Sequence, residues 1–324
     1  MNRMEQFSTF VFAAGDPPPT AAQLIQAARH AERLGFHSIT LAHHLRLPTS
    51  WVYGALPSRD LLDPLVMLPA MAMATTEIRI GTNAAIIPLL PPYVWAKYFA
   101  SLDVLSGGRV IAGMAMGWFP QDFEAAGIER RHRGAMFDEQ LEVITRLWTD
   151  DRVTHSGRFY QLKEAELAPK PVQKPYPPIW VGGFLPSVAR AARYGRYLVP
   201  GSLTVEEARG TYVPRLREVT SGLGRDTQLC LNVNVDILEG EGRPSEETLA
   251  RLKRAVNFFD EPDIQPEKVA IIGPPERCAQ RIIDYQRAGV AHFLMDFQYH
   301  GAVSIDYAMM QMEMFVEKVV PLLA

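Results

Sequence analysis

Apolar positions along this 324-residue chain fall into short β-rich runs separated by longer stretches with helical spacing. Phe7 to Ala13 is an apolar run closed by the turn material Gly15-Asp16-Pro17-Pro18-Pro19. Thr20 then opens an amphipathic helix in which Leu24, Ala27, Ala28, Ala31 and Leu34 recur every three or four residues, and Gly35 stops it. The same reading predicts strands at Ser38 to Leu41, Ile78 to Ile87 and Val110 to Met116, and again at Pro178 to Val181, Tyr197 to Val199, Leu229 to Leu238 and Ala291 to Phe297. Between them the spacing predicts helices at Asp63 to Thr76, Tyr93 to Leu105, Ala135 to Trp148 and Ser187 to Tyr194. Further helices are predicted at Val205 to Leu223, Glu246 to Phe259, Glu276 to Ala288 and Ile305 to Val320.

Strands that alternate with helices demand a mostly parallel sheet, because each parallel strand needs a crossover to return. Eight such strands favour a closed (β/α)8 barrel, the TIM-barrel architecture, over an open sheet. No low-complexity linker divides the chain, so residues 1–324 read as one domain. Two long interruptions, Val153 to Tyr176 and Glu261 to Gly273, read as loops or short hairpins carried on the barrel.

Composition narrows the function classes. About half of the residues are hydrophobic and the formal charge is −3, which offers no electrostatic footprint for nucleic acid or a membrane surface. Cys230 and Cys278 stand in no metal-ligand or redox spacing and read as reduced thiols of a cytoplasmic protein. The first residues are too polar for a signal peptide, and no stretch is long and apolar enough to span a bilayer.

Barrel enzymes place their working groups at the C-terminal ends of strands. There the chain carries His43-His44 after strand 2, Asn83-Ala84 within strand 3, Gly117-Trp118 with Gln121 after strand 4, and Gly182-Gly183 after strand 5. An imidazole on the rim can hydrogen-bond or pass a proton near neutral pH, and strand alternation predicts that one of the two histidines faces the mouth. No further His, Asp or Cys stands at zinc-ligand spacing, so no metal is expected. Gly182-Gly183 before a helix lets a phosphate approach the backbone, with Arg190, Arg193 and Arg196 nearby as candidate partners. Trp51, Tyr53, Trp118 and Phe119 predict an aromatic pocket for a small apolar or aromatic substrate, with the loop bearing Trp51 as a lid.

The run Leu102-Asp103-Val104-Leu105-Ser106-Gly107-Gly108-Arg109 resembles the LD-x-LSGGR segment of luciferase-like flavin-dependent oxidoreductases. Gly117-Trp118 with Phe123-Glu124-Ala125, Arg133-Gly134, Phe137-Asp138-Glu139 and Leu147-Trp148-Thr149 extend the likeness. So do Gly157 to Tyr160, Pro169 to Gln173, Pro177 to Gly183 and Gly273 to Glu276, in order along nearly the whole chain.

The resemblance implies a two-electron oxidoreductase, a monooxygenase or reductase, holding the deazaflavin F420 or FMN in the barrel mouth. F420 is the first choice, on Gly182-Gly183 and the long loop from Leu45 to Leu62 with Pro48. It implies His44, with His43 and Trp118, as the catalytic set, a non-proline cis peptide at Asn83-Ala84 behind the cofactor ring, and a phosphate on Gly182 and Gly183. Gly117, Gln121 and Tyr160 complete the implied cofactor contacts. It further implies a homodimer, a small-molecule substrate and, for FMN, a separate reductase that supplies reduced cofactor. The chain departs from the deazaflavin pattern where His43 replaces an aspartate, and after strand 6, where Gly195-Arg196-Tyr197 replaces an acidic Asp-Gly-Trp. That substitution keeps open an alternative of another class, a cofactor-binding homologue without turnover.

Overall fold

The computed structural model describes residues 3–14, 17–47, 60–240, 242, 244–256 and 264–323. Eight strands form a ring: β1 (Phe7–Val11), β2 (Ser38–Leu41), β3 (Arg79–Thr82), β4 (Val110–Ala115), β5 (Ile179–Gly182), β6 (Tyr197–Val199), β7 (Gln228–Ile237) and β8 (Val290–Asp296). Each pairs in parallel with the next, and β8 closes on β1 through Phe7↔Phe293 to Phe10↔Asp296. The helices that bear on the site or its support are α1 (Ala21–Arg33), α2 (Pro64–Ala74), α3 (Pro92–Ser106), α4 (Pro120–Ala126), α5 (Arg133–Thr149) and α6 (Val188–Tyr194).

Strand residues alternate between two hydrophobic environments, which is why the strands read as nearly continuous apolar runs. Phe10, Ile111, Trp180, Cys230 and Leu294 fill the bore. Val11, Ile39, Val110, Phe293 and Met295 face outward into the layer shared with the helices. The N-terminal end of the bore is polar: Ser38 donates to Ser8 (2.6 Å), and Ser8 is 2.7 Å from His292 Nε2 and 3.3 Å from His37 Nδ1. Burial pushes the His37 imidazole down to about 4, with the Arg79 charge adding, and pushes His292 well below the usual histidine range.

The LSGGR segment proves structural. Gly107, in the left-handed region at φ 67°, ends α3 and turns the chain into β4. Arg109 then donates to the carbonyls of Ala72, Thr75 and Ile78 (2.7, 3.1 and 2.8 Å), satisfying the open C-terminal end of α2 and the turn after it. Asp103 of the same segment accepts the Gln173 backbone N–H (2.9 Å) and side-chain amide (2.7 Å), tying in the Pro169 to Gln173 stretch.

The structure corrects some boundaries. The predicted strand Ile78 to Ile87 is broken after Thr82; Ala85–Ile86 resumes the pairing with β4, through Ala85↔Met114 and Ile86↔Ala115. Helix α4 falls in a stretch assigned no element, and a short strand at Ile271–Gly273, parallel to β7, ends the interruption read as a loop or short hairpin. The Val153 to Tyr176 excursion contains the antiparallel hairpin Val153–Ser156 with Gln161–Ala165. The last three residues of the helix predicted to end at Phe259 lie outside the described residues. Both cysteines are buried and unpaired. Among the described residues no helix is long and apolar enough to cross a membrane, and no His, Cys, Asp and Glu cluster fits a metal ion.

Candidate active site

A cavity of about 330 Å³ opens at the C-terminal end of the ring. Its wall contains His43, His44, Asn83, Ala84, Gly117, Trp118, Gly182 and Gly183, residues that the sequence scatters over 140 positions. The ring brings them together because every strand ends on the same rim.

His44 leaves the end of β2 with Nδ1 2.8 Å from Asp122 Oδ2. Asp122 is fully buried in α4, and its other oxygen accepts the backbone N–H groups of Leu45 (2.7 Å) and Arg46 (3.0 Å). One carboxylate therefore fixes both the imidazole and the chain that carries it. Because a carboxylate accepts, Nδ1 carries a proton and Nε2 is left on the opposite edge of the ring. Phe119 packs edge-on against His44 (5.1 Å) and stacks beneath Trp118 (3.8 Å between centroids).

His43 is arranged differently. Its Nδ1 accepts the Ile86 N–H (3.1 Å) and its ring meets Trp95 edge-on, at 1% exposure. Burial pushes it down to about 4; Asp63 and Asp122 oppose the shift and His44 adds to it. Both histidines border the cavity, correcting the expectation that strand alternation would turn one away. Strand β2 ends at Leu41, so its pleat does not reach residues 43 and 44.

The Asn83-Ala84 peptide is cis. Beside it the wall is built of residues that have no room for more. A Cβ on Gly182 would lie 3.2 Å from Ala115 Cβ and 3.4 Å from Ala84 Cβ. Gly117 has φ +74°, and a Cβ there would be 2.4 Å from Ile86 Cγ2. Gly183 has φ +134°, and a Cβ there would be 2.4 Å from Ser187 Oγ. The Gly183 N–H is already donated to Val199 O (3.0 Å), so this glycine contributes space. Ser187, 1% exposed at the head of α6, lines the same space, and its hydroxyl has no hydrogen-bond partner among the described residues. An orphaned buried hydroxyl over a cradle that a side chain would fill fits a phosphate-bearing group.

Other sequence candidates are not brought to the cavity. Gln121 sits on α4 and Tyr160 in the turn of the outer hairpin, and neither is among the described lining residues. In that turn the Tyr160 N–H is held by Glu139 of α5 (2.8 Å), which also accepts the Phe159 N–H (3.0 Å). Phe119 supports Trp118 and His44 without lining the space. Arg190 is bound to Asp138 and Arg196 to Asp226, and no arginine is among the described lining residues. Trp51, Tyr53 and Pro48 lie outside the described residues. Sequence reasoning missed Phe10, Phe12, Asn232, His300 and Ser187, all on the wall, and the supporting role of Asp122. Their signal was weak: two phenylalanines that read as core, and single polar residues in or beside apolar elements, acquire meaning once the ring closes.

A parallel eight-stranded barrel whose mouth joins a glycine-built cradle to a carboxylate-held histidine is the framework of a cofactor-dependent oxidoreductase. Residues 4–241 match the model of the luciferase-like monooxygenase family, and the chain belongs to that family. An uncharacterised protein of Sinorhizobium fredii is 30% identical over 200 residues, 60% of this chain; the match spans 54% of that protein's length. The FMNH(2)-dependent dimethylsulfone monooxygenase of Pseudomonas putida is 26% identical over 325 residues, 85% of this chain and 84% of that one. Among solved structures, an F420-dependent secondary alcohol dehydrogenase in complex with an F420-acetone adduct shares the fold, with a TM-score of 0.80 at 18% identity over 98% of this chain and 99% of that one.

Proposed function

We propose that this protein is an F420-dependent oxidoreductase acting on a small, apolar or aromatic organic substrate in the cytoplasm. The observation that carries the reading is the buried Ser187 hydroxyl, without a partner among the described residues, beside the space left by Gly183 and in the same cavity as His44, which Asp122 holds. Ser187 and the glycine turn would hold the cofactor phosphate. Gly117, Gly182 and the Asn83-Ala84 peptide would admit a flat ring system where larger side chains could not fit.

The bound cofactor supplies two-electron chemistry that side chains lack. The chain supplies orientation and proton handling. Asp122 holds the imidazole so that His44 Nε2 can accept a proton from, or hydrogen-bond, the reacting oxygen. Trp118 shields the reacting region from water on the β4 side. FMN is the second reading, favoured by the likeness to the Pseudomonas putida enzyme over most of both chains; it would call for a separate reductase.

Titrating the purified chain with F420 and with FMN, each followed by its own fluorescence, tests the assignment. Tighter binding of F420 is expected. Tighter FMN binding would replace the first reading with the second, and quenching of neither at micromolar concentrations would overturn both.

A further inference from the structure

The ring has a second end. Helices α5 and α6 run back against the strand direction, so their last residues, Thr149 and Tyr194, come down at the N-terminal face, away from the mouth that holds His44. A second cavity of about 330 Å³ lies there, between the last turns of α5 and α6, Tyr176 ahead of β5 and Arg225 ahead of β7. Its described lining shares no residue with the cavity at the mouth.

Three arginines line this space: Arg146, Arg193 and Arg225. Arg146 is engaged, 3.8 Å from Glu142, 3.4 Å from Asp150, and donating to Thr154 O (3.2 Å). Arg193 and Arg225 have neither an ion pair nor a hydrogen bond among the described residues; Arg193 lies over the Tyr194 ring, 5.2 Å from its centroid.

A cation at a helix C-terminus ordinarily serves the open carbonyls there. Here other side chains do so. Thr227 Oγ1 donates to Ala191 O (3.2 Å) and Gly195 O (2.9 Å) at the end of α6, and Lys170 Nζ donates to Leu147 O (2.8 Å) at the end of α5. Arg193 and Arg225 are thus left without a structural duty on a shared space. Like charges brought together repel, and an anion between them relieves the repulsion.

Two phenols stand beside the guanidiniums. Tyr176 is braced against the Trp148 ring (5.7 Å between centroids). Burial raises the Tyr194 hydroxyl above the usual tyrosine range and Arg193 opposes the shift, so at neutral pH it keeps its proton and can donate. A guanidinium fork matches phosphoryl oxygens two at a time, and the phenols supply further donors.

We propose that this cavity is an anion site, separate from the cofactor cradle, where Arg193 and Arg225 hold a phosphoryl group, free or on a small ester, and Tyr176 and Tyr194 hydrogen-bond its oxygens. The site does not depend on which cofactor occupies the mouth.

Orthophosphate and phenyl phosphate serve as probes, titrated by calorimetry into the full chain at low salt. Phenylglyoxal labelling of arginines, mapped by peptide mass spectrometry, locates the binding. Both anions should bind and should protect Arg193 and Arg225 from labelling. Tighter binding of phenyl phosphate assigns the site to an ester, and equal binding assigns it to free phosphate. Arg193→Gln and Arg225→Gln should each weaken binding roughly tenfold or more, as expected for loss of a charge-assisted fork. Ser187→Ala, in the cradle at the other end of the ring, should leave it within about twofold. Either arginine variant suffices should the other fail to fold. No binding by the wild type, or arginines that label equally with and without phosphate, overturns the site. So does unchanged affinity in the folded arginine variants, above all beside a loss in Ser187→Ala, which would put the anion in the cradle.

Discussion

Asp122 reaches from α4 to His44 across 78 residues of sequence, and its second oxygen caps the two backbone amides that follow that histidine. The pair behaves as one unit, because the carboxylate sets the tautomer and the imidazole has one remaining edge for chemistry. Replacing His44 by Ala is expected to lower turnover at least about 100-fold, roughly 2.7 kcal/mol of transition-state stabilisation. Asp122→Asn should lower turnover less and shift its pH profile. His43→Ala should act mainly on stability, since it strips the Ile86 N–H of its acceptor. Steady-state kinetics beside thermal melts separate these effects. Small, equal turnover losses at His43 and His44 would remove both from the chemistry.

Gly183 and Ser187 bear on the cofactor anchor. Gly183→Val should weaken cofactor binding tenfold or more, about 1.4 kcal/mol, because its Cβ would lie 2.4 Å from Ser187 Oγ at a backbone angle that L side chains avoid. Ser187→Ala is the milder check. It removes a buried hydroxyl with no partner among the described residues, so the apo protein should lose no stability while cofactor affinity falls. Full cofactor affinity in both variants would move the phosphate site elsewhere.

Acid should destabilise the fold in a defined window. Burial pushes His37 and His43 down to about 4, against roughly 6.5 in the unfolded chain. Above pH 6.5 both states are neutral at these sites and stability is unaffected. Between 6.5 and 4 the unfolded chain takes up protons that the folded one refuses, so stability falls with pH, by up to about 1.4 kcal/mol per unit for each histidine. Urea midpoints should decline from pH 7 to 5, and less steeply in His37→Gln. Level midpoints in the wild type would contradict this.

Helix α2, PLVMLPAMAMA, carries no polar side chain over eleven residues, yet Val66 and Met73 are 72% and 68% exposed. Val94, Val104 and Leu105 of α3 are exposed as well. An apolar face of this kind on adjacent helices suits a second copy of the chain. Light scattering is expected to give twice the 36.3 kDa chain mass, and Val66→Glu with Met73→Glu should return a monomer. A monomeric wild type at micromolar concentrations would count against the homodimer.

The alternation of apolar runs and helical stretches was enough, by itself, to determine eight parallel strands and hence a ring, because parallel strands need crossovers and each leaves a periodic trace. Glycines at strand ends were legible too. Gly117 and Gly182-Gly183 stand where a Cβ would collide or strain the backbone, a local requirement that a residue type can announce. The cis peptide at Asn83-Ala84 was placed by resemblance; that the strand pairs with both β2 and β4 before it and with β4 alone at Ala85–Ile86 appeared only in the ladder. Asp122 and Asp296 were not legible as holders of histidines, since an acid earns that role from whatever faces it across 78 residues, or across a left-handed turn. Tyr160 and Gln121 are not among the described lining residues: a motif records sequence order, whereas their place is set by the outer hairpin and by α4. Which residues share the wall of the cavity was decided by closure of the ring, which makes neighbours of strand ends hundreds of residues apart.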